Sequence, residues 1–354
     1  MFKKSAKKNS LDLKVRISYD EKTDTISIQS KDRKVRSKQE FSIFLGGSDA
    51  YSTLRDFLER EGILPEYGRF QTIPEHLNYT HAINTDQWDK FPLGRFADGE
   101  EVIWDTSLSS NLLLGGGIAT GKSILQRNII HHCLRHPENW VLYGFDPHRV
   151  ELTPYLKHGP TIAGVATEIA EASAMVTKAH AEMKQRYRIM EQTGVNNFRD
   201  LPDFLPAWMI MIDEASSLLS LTGSKTNEGK VEDILKEDMK RQFADLAYLG
   251  KAAGIHLVMS TQRVEPSVFS PNFKEAFTTR IAFGRMQKND SQLLLDTEMP
   301  DGWNWAFRGR GYFQEFGQGY DFQCYHAEKD LPYASDIANR EQQHSNSTNS
   351  RFGL

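Results

Sequence analysis

The chain has 354 residues, 39% of them hydrophobic and 25% charged, with a formal net charge of −4 and two cysteines, Cys133 and Cys324. This is enough chain for one large α/β domain and a smaller one, and the composition excludes a disordered chain, a disulfide scaffold and a cysteine-built metal centre. No apolar run approaches the ~20 residues of a bilayer crossing, and Met1 to Ser10 is polar and lysine-rich rather than a secretion signal, so a soluble, cytoplasmic protein is expected.

Charge is unevenly spread. Residues 1–38 carry 12 Lys/Arg against 5 Asp/Glu, a surplus of +7 that leaves −11 for the remainder. A protein that coats nucleic acid passively is basic throughout, whereas this one would hold a polyanion only through local patches.

Residues 1–10 read as an unstructured basic tail. Leu11 to Tyr19 and Thr23 to Gln29 alternate apolar and polar around Asp20-Glu21-Lys22, which predicts a β-hairpin. The basic run Lys31 to Lys38 reads as a solvated loop or strand edge, with nucleic-acid contact as the functional alternative. Ser48 is placed to N-cap a helix that turns Leu54, Phe57 and Leu58 inward and ends near Gly62. Residues 11–64 are therefore expected to form a small α+β module, followed by a polar, Pro/Asn-rich linker over 65–90.

From Phe91 to about residue 335, short apolar strands alternate with helices. Leu112-Leu113-Leu114 is one such strand and Ile124 to Leu134 an amphipathic helix. Between them stands Gly116-Gly117-Ile118-Ala119-Thr120-Gly121-Lys122-Ser123, a G-x-x-x-x-G-K-[ST] phosphate loop in the context it requires. Its glycines let consecutive N–H groups turn inward around a phosphate chain, with the helix N-terminus adding positive charge behind them. Lys122 would reach the β- and γ-phosphates of ATP, and the Ser123 hydroxyl would hold Mg²⁺.

Val141 to Phe145 predicts a strand ending in Asp146-Pro147, and Val165 to Met190 a long helix. Trp208 to Ile212 is a fully apolar strand that ends in Asp213-Glu214. At a strand tip facing the phosphate loop, Asp213 can complete the Mg²⁺ shell and Glu214 can polarise the attacking water. Lys230 to Leu249 reads as a helix closed by Gly250 or Gly254, and His256 to Ser260 as a strand ending in Thr261-Gln262-Arg263, where Gln262 could sense the γ-phosphate. Arg280 to Phe283 is a further strand, and Arg263, Arg280 and Arg285 are the arginines placed to serve as a trans-acting finger. Trp303 to Phe316 predicts late strands with core aromatics, and residues 336–354 a polar tail. Continuous apolar strands separated by helices argue for a mostly parallel sheet covered on both faces, with ligands beyond the strands' carboxyl ends.

Several blocks, in order, resemble the motor domain of the FtsK/SpoIIIE DNA translocases, in the HerA–FtsK group of P-loop ATPases. They are Leu93 to Glu100, the phosphate loop, Asp146 to Leu152, Glu182 to Tyr187, Ile212-Asp213-Glu214, Ala252 to Leu257, Ser260 to Arg263 and Thr279 to Phe283. The resemblance implies a RecA-like P-loop fold and a hexameric ring that threads double-stranded DNA by ATP hydrolysis. It keeps Lys122, Ser123, Asp213 and Glu214 in the roles above, makes Gln262 the polar sensor, and favours Arg280 as the finger. It also puts pore loops at Thr222 to Lys230 and Ser267 to Lys274, with Lys225, Lys230 and Lys274 as DNA contacts; lysines there would grip phosphates without reading bases. Ala119 departs from the family's glycine, and His148 from the lysine that follows its Asp-Pro. The family's membrane segments and winged-helix module have no counterpart, which fits a short motor of a phage, plasmid or integrative element. The alternative from another class is a conjugation-coupling or secretion-type ATPase that moves a protein or nucleoprotein, and the −11 balance keeps it open.

Overall fold

The computed structural model describes strands at 15–20, 25–30 and 41–44, then residues 77–79, 82, 86–96, 99–158, 161–284, 286–297 and 307–327. Two compact units divide the chain, Met1–Thr72 and Ile73–Leu354. In the first, β1 (Val15–Asp20), β2 (Thr25–Ser30) and β3 (Phe41–Phe44) form an antiparallel sheet. The predicted hairpin is present with Asp20 opposite Thr25, and β3 adds a third strand to it. The basic run 31–38 and the helix expected from Ser48 lie outside the described residues.

The second unit is built on one sheet. Its centre is parallel: β7 (Leu112–Gly116), β8 (Trp140–Phe145), β9 (Ile162–Ala166), β10 (Ala207–Ile212), β11 (Ile255–Thr261) and β12 (Thr279–Phe283), in the spatial order β12-β7-β11-β10-β8-β9. Strands β7, β10, β11 and β12 are buried along their whole length, as near-continuous apolar runs require. Beyond β12 the sheet turns antiparallel through β13 (Arg310–Glu315), β14 (Gln318–His326), β5 (Lys90–Phe96) and β6 (Glu101–Asp105). The short β4 (Leu77–Asn78), inside the predicted linker, pairs with β14.

Helices cover both faces. On one lies α1 (Lys122–Arg135), whose Leu125, Ile129 and Cys133 share a core with Leu112, Leu142 and Phe322. On the other lie α2 (Ile169–Thr193), the short α3 (Ala215–Leu219) and α4 (Asn227–Ala253). Ala172, Val176, Ala179 and Met183 of α2 and Met239, Phe243 and Leu246 of α4 recur every three or four residues and pack together against Ile210, Ile212 and Leu257. Both helices end on left-handed glycines, Gly194 at φ 72° and Gly254 at φ 71°.

Two boundaries differ from expectation. Val165 and Ala166, read as helical, close the edge strand β9, and α2 begins at Ile169 behind a capping box of Glu168 and Glu171. Helix α4 starts three residues before Lys230, where the Thr226 side chain accepts from Gly229 N–H. Arg186 of α2 is buried in the packing: it pairs with Glu182 at 2.8 Å and donates to the Ala253 and Pro206 carbonyls at 2.9 Å.

Candidate nucleotide site

The site forms where three central strands end together. The loop leaves β7 at Gly116 (φ 148°) and enters α1 at Gly121 (φ 135°), conformations that side chains rarely adopt. A Cβ on Gly116 would stand 2.6 Å from the Phe283 carbonyl oxygen, and one on Gly121 would stand 2.7 Å from Gly309 Cα. Both glycines are therefore required by backbone contact as well as by torsion. Gly117, Ile118 and Ala119 are exposed at the loop's crest, and Ala119 takes the left-handed conformation at φ 61°.

Lys122 is buried, and its ammonium donates to the carbonyls of Gly116 and, at 2.9 Å, Gly117. Burial lowers its pKa, opposed by the negative charges of Glu214 and Asp213. The amine therefore sits inside the loop and within electrostatic reach of both acids. No side chain caps the first turn of α1; the Ile124 and Leu125 N–H groups donate to the Gly121 carbonyl at 3.0 and 3.1 Å, which leaves the Lys122 and Ser123 amides for a phosphate. Ser123 follows in that turn, half-buried.

The acids stand at the tip of β10, and the sheet order places β11 between that strand and β7. Asp213 Oδ1 accepts from Ser260 Oγ at 3.0 Å and from Gln126 Nε2 at 3.4 Å. Glu214, in the left-handed region at φ 59°, accepts from Thr261 Oγ1 at 3.1 Å and from the Gln262 backbone N–H at 3.1 Å. Burial raises both carboxyl pKa values; hydrogen bonds from Ser260 and Gln126 oppose this at Asp213, and those from Gln262 and Thr261 at Glu214. Gln126 Oε1 is buried without a hydrogen-bond partner beside this pair. Uncapped helix amides, a buried lysine, a hydroxyl and two acids on one rim are the donor set that a Mg²⁺-bound triphosphate needs.

Gln262 reaches Glu214 through its main chain, and its side chain is exposed. Asp146, also at a strand end, is consumed by its own loop. Its carboxylate accepts from the N–H groups of Val150, Glu151, Leu152 and Thr153 and from the Thr153 hydroxyl at 2.8 Å. Burial alone would raise Asp146, but the Thr153, Leu152 and Val150 bonds hold its carboxyl below the usual range. Gln126, Ser260 and Thr261 were not among the sequence-derived site residues. Gln126 had a signal, three positions after Ser123 and so on the same helical face.

Two expected roles are corrected by burial. Arg280 is 8% exposed: Nε donates to the Phe277 carbonyl at 2.9 Å, Nη2 to Lys274 at 2.9 Å, and Nη1 to Leu294 at 3.2 Å and to the Asp296 carboxylate. Lys274 is 6% exposed and holds Asp296 Oδ1 at 2.7 Å and the Leu293 carbonyl. Neither side chain is presented to another subunit or to DNA, because both neutralise Asp296 and cap backbone carbonyls around α5 (Pro271–Glu275) and α6 (Lys288–Leu295). Lys225 and Lys230, at the start of α4, are exposed, as is Arg263; Arg285 lies outside the described residues.

A mostly parallel sheet with a glycine-rich phosphate loop on one strand and acids on the next but one defines a P-loop ATPase fold. Residues 78–206 match the model of the FtsK/SpoIIIE family. It is 28% identical over 223 residues to the DNA translocase FtsK of Oceanobacillus iheyensis, covering 58% of this chain and 27% of that protein. It is 29% identical over 220 residues to the DNA translocase SpoIIIE of Bacillus subtilis, covering 58% and 26%. The chain thus spans about a quarter of the length of the curated relatives it matches. Among solved structures, the pCW3 conjugation coupling protein TcpA, in its monomer form with ATPgS, shares the fold with a TM-score of 0.67 at 19% identity, over 92% of this chain and 93% of that one. Among the described residues no helix is long and apolar enough to cross a membrane.

Proposed function

We propose that this chain is an ATP-hydrolysing motor that moves double-stranded DNA through a ring of its own copies, six by analogy with the family. The observation that carries this is the presence of Lys122 and Ser123 behind β7 and of Asp213 and Glu214 behind β10, at the carboxyl ends of central strands, in a chain whose relatives are DNA translocases. Gly116 to Ser123 hold the phosphates of ATP, with Lys122 on the outer ones. Ser123 and Asp213 would hold Mg²⁺, which would supply charge neutralisation on the transferred phosphoryl group. Glu214 orients and polarises the attacking water, fixed by Thr261 and the Gln262 amide. Gln262 keeps a free side chain at the same rim, where it can register the γ-phosphate.

Lys225 and Lys230 are the DNA contacts. They stand together at the exposed start of α4, and the Thr222 and Gly223 amides are anchored to Asp233 at 2.7 and 3.2 Å. Such a loop presents point charges to phosphates and no base-reading fork. The coupling-ATPase alternative is separated by one comparison. Long duplex DNA should stimulate ATP turnover several-fold, with stimulation fading as salt rises. Turnover indifferent to DNA but raised by a protein partner would favour the alternative.

A further inference from the structure

The phosphate loop has two flanks of different chemistry. The β11–β10 flank carries Asp213 and Glu214. The other flank is backbone: Gly309 N–H, in the turn that opens β13, donates to the Thr120 carbonyl at 2.8 Å, and Gly284 N–H donates to the Arg310 carbonyl at 3.0 Å. The turn is itself pinned from behind, by Cys324 N–H on the Gly309 carbonyl at 2.9 Å and Gln323 Nε2 on the Arg308 carbonyl at 3.0 Å. Arg310 is buried, donates to Gln323 Oε1 at 3.0 Å and lies 5.6 Å from the Phe307 ring centroid. Arg308 differs from it: it is exposed and forms no ion pair among the described residues, one position from the bond that fastens the turn to the loop.

A triphosphate in this loop has a direction. Its terminal phosphate belongs with Lys122 and the two acids, so its nucleoside end runs to the flank that has none. An arginine there offers a planar, weakly hydrated cation that lies well against an aromatic base.

We propose that Arg308 is a nucleotide-binding residue on the nucleoside side of the site, its guanidinium set against the base. The assignment rests on the ATP reading above. The backbone bond between Gly309 and Thr120 fixes the distance between this contact and the phosphate cradle.

The test is equilibrium binding of ATP, ADP and inorganic tripolyphosphate, each with magnesium, to the full chain and to Arg308→Ala, Arg308→Lys and Lys122→Ala. Arg308→Ala should weaken ATP and ADP alike by about tenfold and leave tripolyphosphate unchanged. Arg308→Lys should not recover the loss, because an ammonium lacks the flat face. Lys122→Ala should weaken all three ligands. Unchanged ATP affinity in Arg308→Ala, while Lys122→Ala still loses binding, overturns the proposal and leaves the ATP reading intact. An equal loss for tripolyphosphate also overturns it, since the contact would then be to phosphate. A native chain that binds no ATP sinks the ATP reading itself.

Discussion

Ser260 Oγ stands 3.0 Å from Asp213 Oδ1, on the strand that the sheet inserts between the phosphate-loop strand and the acidic one. The same hydroxyl lies 3.3 Å from Gln126 Nε2 and 3.4 Å from Glu214 N–H. One buried serine thus joins the helix behind the loop to both acids. Hydrogen bonds to a charged group contribute about 1.5–3 kcal/mol. Ser260→Ala should therefore cut ATP turnover by roughly tenfold while nucleotide affinity, measured by titration, stays nearly unchanged.

Glu214 is held in the left-handed region by the Thr261 hydroxyl and the Gln262 amide, so its carboxylate has a fixed aim. Glu214→Gln keeps the shape and loses the acceptor for the water's proton. Turnover should fall by about 10² or more with ATP still bound, as read by steady-state assay beside binding titration. Persistent turnover would remove Glu214 from its role.

The loop's torsions give a paired stability test. Ala119 sits at φ 61°, where a Cβ costs about 1–2 kcal/mol, so Ala119→Gly should raise the melting temperature by a degree or two after the entropy that glycine adds to the unfolded chain. Gly121→Ala puts a Cβ 2.7 Å from Gly309 Cα at φ 135° and should lower stability and abolish nucleotide binding. Thermal melting of both variants checks the contrast.

Much of this architecture was legible because central strands are continuous apolar runs and the loop has a fixed spacing. The edges were less so. Ile162–Ala166 is short and half-exposed, so its last two residues were absorbed into the helical pattern that follows. The antiparallel flank is knit by residues such as Gly311 and Gln323, whose pairing across strands leaves no local signature. Arg280 and Lys274 carry a different lesson. Their partner Asp296 lies 16 and 22 positions along the chain, and a buried, neutralised cation has the same letter as a free one.

Acid should destabilise this fold through two histidines. Burial lowers His256 to about 3, the Ser110 carbonyl opposing, and burial together with the His136 charge lowers His132 to about 3. Both are depressed below the unfolded value near 6.5, so below that pH the unfolded chain binds protons that the folded chain does not. Stability is complete above about pH 6.5 and declines as pH falls towards 3. At about pH 5.5 each histidine costs about 1.4 kcal/mol. Asp321, raised by burial to about 6, works in the opposite sense, but it is partly exposed and screened by solvent, so it offsets only part of this loss. Denaturant unfolding at pH 7.5 and 5.5 should show the net loss, and His132→Gln with His256→Gln should flatten it.

Lys225 and Lys230 lie exposed at one loop-to-helix junction. The decisive measurement is ATP hydrolysis by the full chain with and without long duplex DNA, repeated with Lys225→Ala and Lys230→Ala combined. Duplex DNA should stimulate turnover, with the stimulation weakening as salt rises and lost in the double variant while basal turnover stays. Turnover that ignores duplex DNA altogether would rule out a DNA motor.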